Sequence, residues 1–231
     1  IVLGNPNLLP SYRDHYKIGT NFLKHFAVEA YYMNYDGDVI ELTHQNNETN
    51  IIAYKPTNLD KKIDYGFDFT FDYSPTNTWN IYFVTSFYNI TEEADFGEDF
   101  VELNQWSNYS ILYNGLSLLE DNSLNVGLTL TWVGKNIQQL QIVENRLVSE
   151  FSITKSVFNK KGVLSLSMED LFNLQDFESS VNYLNQSSSS FVNSDNRFIK
   201  LGFRYNFGNT KLSTNERTTD AEERERLKDL N

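Results

Sequence analysis

The sequence predicts an all-β fold in which antiparallel strands form part of an up-and-down barrel that crosses a membrane. Apolar and polar residues alternate in many runs, which places successive side chains on opposite faces of a strand. Short and long connections between these runs take turns along the chain, as in outer-membrane barrels. No run of about 18 apolar residues occurs, which excludes helical membrane spans.

The clearest alternation covers Ile63–Tyr73. Its odd positions carry Ile, Tyr and Phe, whereas its even positions carry small or acidic residues, including Asp64, Asp68 and Asp72. We expect these three aspartates to face an aqueous lumen, where they either attract cations or hydrate the interior.

Eight further runs alternate in the same way. Two of them are strict, Leu124–Trp132 and Ile199–Phe207. The less regular runs are Tyr16–Phe22, Phe26–Tyr32, Trp79–Phe87, Leu112–Leu118, Leu147–Ile153 and Leu164–Met168. Together the runs predict about nine strands, each long enough to cross an apolar band about 25 Å tall.

The connections predict which end of each strand lies on which side of the membrane. Compact turns are predicted at Lys24–His25, Ser74–Thr78, Glu120–Ser123 and Asn159–Gly162. Longer polar loops are predicted at Thr43–Asn50, Thr91–Asp99, Gly134–Gln141 and Gln186–Asn196. Because tight turns are periplasmic and long loops extracellular in such barrels, Gly4–Arg13 is expected outside the cell.

The odd strand count predicts part of a larger wall, since complete bacterial barrels normally have an even number of strands. We expect the missing part to precede Ile1, where Ile1–Leu9 also lacks the regions of a secretion signal. Residues 1–208 are therefore predicted as the C-terminal part of a barrel, and residues 209–231 as a charged periplasmic tail. Within the tail, Thr219–Leu230 is either a short exposed helix or a solvated disordered segment.

The composition limits the alternatives. Aromatic residues make up 15% of the 231 residues, hydrophobic residues 40%, and the mean hydropathy is −0.47. A soluble β-sandwich would also alternate, but aromatic residues near strand ends and isolated charges on the opposite faces favour the barrel. The net charge of −12 excludes a basic face for nucleic acid, and the absence of cysteine excludes disulfides and thiolate metal sites.

The last predicted strand carries a recognisable pattern. Lys200 is followed two residues later by Gly202, and aromatic residues stand five and seven positions on, at Tyr205 and Phe207. This pattern resembles the β-signal that is read by the outer-membrane insertion machinery. The resemblance implies that machinery as a partner during biogenesis and outer-membrane lipid as the surroundings of the folded chain.

Three other segments resemble TonB-dependent receptor barrels. Gly4–Pro10 followed by Tyr16–Gly19 looks like a loop and strand of their C-terminal half, and Glu169–Asn173, on the predicted penultimate strand, looks like another segment. The ending Arg204–Lys211 is similar to one subgroup, the outer membrane protein beta-barrel family. Each motif is short, but together they extend from near the start of the chain to its tail.

The resemblance implies a barrel of about 22 strands around an N-terminal plug, in the outer membrane of a Gram-negative cell. It implies import of a nutrient with energy from TonB, although neither the plug nor the TonB-contacting box occurs in this chain. Two alternatives stay open: a structural barrel that scaffolds an envelope complex, and a complete small pore made by this chain alone.

No catalytic chemistry is predicted. His15, His25 and His44 lack metal-ligand spacing, and no nucleophile can be paired with a base. The acidic stretch from Glu92 to Glu102 is either a solvated loop or a Ca²⁺ site. We therefore expect no enzymatic activity and no cofactor.

Overall fold

The computed structural model describes residues 2–96 and 99–207. These residues form fifteen β-strands and no helix, so none of them belongs to a helix that could span a membrane. The charged tail predicted for residues 209–231, including its possible helix, lies outside the described residues.

Nine strands form one large antiparallel sheet, in the order β1-β2-β5-β6-β7-β8-β11-β12-β15. Their bounds are β1 Tyr12–Phe22, β2 Phe26–Asp36, β5 Lys61–Thr76, β6 Trp79–Asp95, β7 Phe100–Leu118, β8 Leu124–Val133, β11 Arg146–Val157, β12 Gly162–Glu169 and β15 Ile199–Tyr205. Each of the nine predicted runs falls on one of these strands, so the predicted set of nine wall strands is confirmed.

The register of this sheet puts all the apolar faces on one side. Tyr65 lies opposite Tyr32 on β2 and Asn89 on β6, whereas Asp64 lies opposite Met33 and Ile90. Directly opposed residues share a face, so the same parity continues through every pair of strands. We call the side that carries Phe67 and Phe69 the outer face, and the side that carries Asp64 and Asp68 the inner face.

Short turns join neighbouring strands at one end of the sheet, the turn end. Left-handed backbone conformations close them, for example at Lys24 with φ 61° and at Asn122 with φ 53°. Three longer connections lie at the other end, the loop end, after β2, β8 and β12, but the fourth, between β6 and β7, covers only residues 96–99. The predicted alternation of short and long connections is therefore confirmed except between β6 and β7.

The predicted polar loops are wrong in structure, because most of their residues pair as strands. A hairpin follows β2, with strands β3 (Val39–Asn46) and β4 (Ile51–Asn58). The segment Thr91–Asp99 is not a loop either, since β6 continues to Asp95 and β7 begins at Phe100. The two remaining connections supply a four-stranded sheet of order β14-β13-β10-β9, namely β9 Asn136–Gln138, β10 Gln141–Val143, β13 Phe177–Tyr183 and β14 Gln186–Val192.

These loop-end strands bury the main hydrophobic cluster of the described chain. Its members are Ile40, Leu42, Leu59, Ala94, Val101, Leu140, Val181 and Tyr183. Ala94 and Val101 lie opposite each other on the inner face of β6 and β7. The loop-end strands therefore fold onto the inner face, and we call this second body, made of β3, β4, β9, β10, β13 and β14, the cap. Burial within it raises the pKa of Tyr183 to about 12.

A charged network fastens the cap to the wall. The Glu92 side chain is only 1% exposed, and its Oε2 accepts a 2.6 Å hydrogen bond from the Leu140 backbone N–H at the β9–β10 turn. Lys62 Nζ lies 3.5 Å from Glu92 Oε1 and 2.9 Å from Asp38 Oδ2. A carboxylate this deeply buried is stable only when it is paired and hydrogen-bonded, so Lys62 and Leu140 hold Glu92 in place.

Two of the segments with family-like sequences flank the wall strands. Gly4–Pro10 runs beside β4, where Asn58 Oδ1 accepts the Leu9 N–H at 2.9 Å and Asn58 Nδ2 donates to the Leu9 carbonyl at 3.0 Å. Glu169–Asn173 was expected on the penultimate strand, but β12 ends at Glu169. The rest is a turn in which Asp170 Oδ1 accepts the Leu174 N–H at 3.0 Å, because an aspartate side chain competes with strand pairing for such donors.

Leu140→Ala should loosen the cap, because Leu140 is completely buried and its truncation leaves a cavity. We expect the free energy of opening the cap to fall by about 2–5 kcal/mol. Limited proteolysis of the intact protein, with the fragments identified by mass spectrometry, should show faster cleavage within residues 134–144.

Leu184→Ala is the matched control, since Leu184 lies in a cap turn but is 47% exposed. Equal cleavage rates for Leu140→Ala and the unsubstituted protein would contradict a packed cap.

Candidate membrane-facing and lumen-facing surfaces

The outer face is apolar between two belts of aromatic residues. The loop-end belt comprises Tyr16, Tyr32, Tyr65, Trp106 and Trp132. The turn-end belt comprises Phe22, Phe26, Phe71, Tyr73, Trp79, Phe158 and Tyr205. From Tyr65 to Tyr73 the strand extends about 27 Å, or about 21 Å across a membrane at a tilt of about 40°. This height matches the apolar band of outer-membrane barrels, about 25 Å.

Two asparagines on the outer face of β7 accept hydrogen bonds from two of the three tryptophans in the belts. Trp79 Nε1 donates to Asn114 Oδ1 at 2.7 Å, and Trp132 Nε1 donates to Asn108 Oδ1 at 3.3 Å. An indole N–H needs an acceptor wherever water is scarce. Asn108 and the neighbouring Ser110 break the apolar pattern of the outer face before Leu112, which explains why sequence alternation detected only the turn-end part of β7.

The inner face is polar along the height of the sheet. It carries the predicted lumen residues Asp64, Asp68 and Asp72 on β5, four residues apart. Asp68 Oδ1 accepts a 2.6 Å hydrogen bond from Ser86 Oγ, and Asp72 Oδ1 accepts one of 3.3 Å from Asn80 Nδ2. Asp64 lies nearest the loop end, beside Lys62. The structure thus places the three aspartates on one face but spreads them along it rather than in one site.

Glycines show that the inner face is the concave one. Six glycines lie within wall strands. Five of them, Gly19, Gly66, Gly115, Gly127 and Gly202, have inner-face positions, whereas Gly162, the first residue of β12, has an outer-face position opposite Tyr205. A Cβ added to Gly66 would lie 2.3 Å from the Phe87 carbonyl oxygen, and one added to Gly115 would lie 2.5 Å from the Tyr113 hydroxyl. Side chains converge on the concave side of a bent sheet, so glycine relieves crowding there. A concave polar face and a convex apolar face are the two surfaces of a barrel wall.

The predicted insertion signal lies on β15, at one edge of the sheet. Lys200 and Gly202 have inner-face positions and Tyr205 an outer-face position, whereas Phe207 follows the strand and packs edge-on against the Tyr205 ring, with the ring centroids 4.7 Å apart. Lys200 Nζ lies 3.6 Å from Glu169 Oε1. The strand therefore has the two-faced character that its sequence predicts.

Within residues 2–96 and 99–207, no group of three or more His, Asp or Glu side chains could hold a metal ion. The acidic stretch is divided, since Glu92 points into the cap and Glu93 pairs with Lys61. Burial, and then the charge of Lys55, lower the pKa of His44. Sequence reasoning missed the Glu92–Lys62 pair, because a glutamate within an acidic run looks solvated.

Gly66→Ala should destabilise the wall by about 1–3 kcal/mol, because the added methyl group overlaps the Phe87 carbonyl. Titration with denaturant of the intact protein reconstituted in lipid vesicles, under conditions where unfolding is reversible, measures this change. Gly4→Ala is the control, since nothing lies within 4 Å of a Cβ at Gly4. Equal unfolding midpoints for the two variants would contradict a tightly curved sheet at Gly66.

Comparison with known proteins agrees with this geometry. The sequence pattern of the outer membrane protein beta-barrel family matches residues 1–205, which include all fifteen described strands. Neither the comparison with curated proteins nor that with solved structures gave a match. An alternating wall with two aromatic belts, a concave polar face and a family match over this length lead to one conclusion: the chain belongs to the outer membrane protein beta-barrel family.

Proposed function

We propose that the chain is part of the barrel wall of a TonB-dependent-receptor-like transporter that imports a nutrient across the outer membrane. The concave polar face beneath a folded cap supports this proposal most strongly. A polar inner surface between two membrane boundaries can line an aqueous passage, and the outer face can contact lipid along the same height.

The wall has two free edges that suit completion by further strands. Among the described residues, β1 pairs only with β2 and β15 only with β12. Unpaired strand edges are costly in a membrane, where no water satisfies their N–H and C=O groups. We infer that more wall strands complete the barrel, up to about 22 as in plugged outer-membrane transporters.

The cap favours gated import over an open pore. It packs its hydrophobic cluster against the inner face of β6 and β7, and the Glu92 hydrogen bond to Leu140 fixes the β9–β10 turn there. Ordered segments at the loop end of the barrel narrow the entrance to its interior, and a substrate contacts their surface first. A plug preceding Ile1 would complete such a gate and contact TonB.

Orientation and biogenesis follow from the same comparison with other barrels. We propose that the turn end is periplasmic and the cap extracellular, with residues 209–231 in the periplasm. We further propose that Lys200, Gly202, Tyr205 and Phe207 form the signal read by the insertion machinery. No enzymatic activity is proposed.

A structural role in an envelope complex is the second candidate. Large apolar side chains are exposed on and beside the cap, including Phe172 at 55%, Leu174 at 54% and Phe191 at 63%. Exposed apolar residues of this size, away from the membrane band, suit protein partners. Stoichiometric partners bound there with a permanently blocked lumen would favour this role.

Deletion of the gene should reduce uptake of one limiting nutrient, and deletion of TonB should reduce it equally. We expect this because a plugged barrel opens only with energy delivered from the inner membrane. Growth of the two strains and of the double mutant, across limiting metal, vitamin and carbohydrate sources, measures the effect.

The double mutant should grow no worse than either single mutant on the affected nutrient. A growth defect that persists independently of TonB, or an intact gene product without a plug domain, would overturn the import proposal and leave the structural role.

A further inference from the structure

An apolar groove lies on the outer face across β11, β12 and β15. It has a volume of about 460 Å³, within the range of small-molecule sites, and it opens away from the sheet. Its outer-face lining comprises Ile153, Lys155, Leu164, Leu166, Leu201 and Phe203. Leu201 is 81% exposed and Phe203 60% exposed, so the described part of the chain leaves the groove unfilled.

Lys155 is unusual in its position. Among outer-face side chains of the nine described wall strands between the two aromatic belts, it is the only charged one. It lies between Leu124 on β8 and Leu164 on β12, one row inside the turn-end belt. A charged side chain on the lipid face raises the free energy of the folded protein unless the charge reaches the membrane interface. We therefore expect the Lys155 ammonium to have a partner of opposite charge.

The contacts of Lys155 leave it able to take an anion. Its Nζ donates a 2.6 Å hydrogen bond to the Ser123 hydroxyl, in the turn that precedes β8. No carboxylate of residues 2–96 and 99–207 lies within ion-pair distance of Nζ, although the charge of Asp121 acts on it from further away. The ammonium thus reaches towards the turn-end boundary of the membrane while its methylene chain lies along apolar surface.

We propose that the groove is a binding site for one anionic phospholipid of the turn-end leaflet. One acyl chain lies along Ile153, Leu166 and Leu201, and the phosphate contacts the Lys155 ammonium. The head-group level coincides with the aromatic cluster of Phe158, Phe203 and Tyr205, whose rings mark the interface. Strands added beyond β15 would lie beside it rather than over its outer face, so the groove stays accessible to lipid.

This inference rests on the outer face contacting lipid and does not depend on transport. The test uses the intact protein, delipidated in detergent and titrated with dioleoyl phosphatidylglycerol or dioleoyl phosphatidylcholine, with bound lipid counted by native mass spectrometry. Lys155→Gln should weaken phosphatidylglycerol binding about fivefold, the effect of one interfacial charge, and leave phosphatidylcholine unchanged. Lys155→Arg should retain binding.

Lys24→Gln is the matched control, because Lys24 lies in another turn at the same end of the sheet. An equal loss in Lys24→Gln would overturn the proposal in favour of general electrostatic attraction. Displacement of the lipid by excess inorganic phosphate would overturn it in favour of a phosphate site alone.

Leu201→Ala keeps the test decisive if Lys155→Gln fails to fold. The Leu201→Ala substitution removes apolar contact with the acyl chain at an exposed position, so both lipids should bind more weakly. Heat-dependent gel mobility checks that the barrel of this variant is intact. Unchanged binding of both lipids to the Leu201→Ala variant would contradict binding of the acyl chain in the groove.

Discussion

The structure depends on one constraint, that every backbone N–H and C=O in the membrane must find its partner within the protein. Pairing of neighbouring antiparallel strands meets this constraint for the interior of the nine-stranded sheet. Pairing also fixes the register, and the register sorts side chains by parity into an apolar face and a polar face. The apolar outer face, the polar inner face and the two belts all follow from that single ladder of hydrogen bonds. The free edges of β1 and β15 are where the same constraint is still unmet by the described residues.

Above the membrane band a second physical principle takes over. The loop-end strands are short and lie in water, which competes for their backbone hydrogen bonds. Hydrophobic burial therefore stabilises them. They obtain that burial by packing Leu140, Val181 and Tyr183 against the inner face of the tall β6–β7 hairpin. The buried Glu92–Lys62 pair adds specificity of position, since a cap displaced from its place would leave an unpaired carboxylate. The wall and the cap are therefore stabilised by different interactions, and they meet at β6 and β7.

The sequence predicted the wall far better than the cap. Runs such as Ile63–Tyr73 and Leu124–Trp132 alternate because lipid and water act on their two faces along the whole strand. Cap strands lack that signal: β9 and β10 have three residues each, and β14 contains four consecutive serines. The buried Glu92 side chain accepts a hydrogen bond from Leu140, 48 positions away in the sequence, and no local sequence pattern reveals this contact. The inner aspartates were assigned to one face from alternation alone, whereas the concavity of that face needed the glycine contacts.

The most direct test of the account is a nitroxide scan along β8 in the intact protein reconstituted in lipid vesicles, with one cysteine introduced at each position from 124 to 132. Collision with oxygen reports lipid, and collision with a water-soluble nickel chelate reports water. The account predicts a period of two, with Val126, Leu128 and Leu130 in lipid and Gly127, Thr129 and Thr131 in contact with water. Equal accessibility on both faces, or an outer face protected from both reagents, would contradict a membrane-spanning wall.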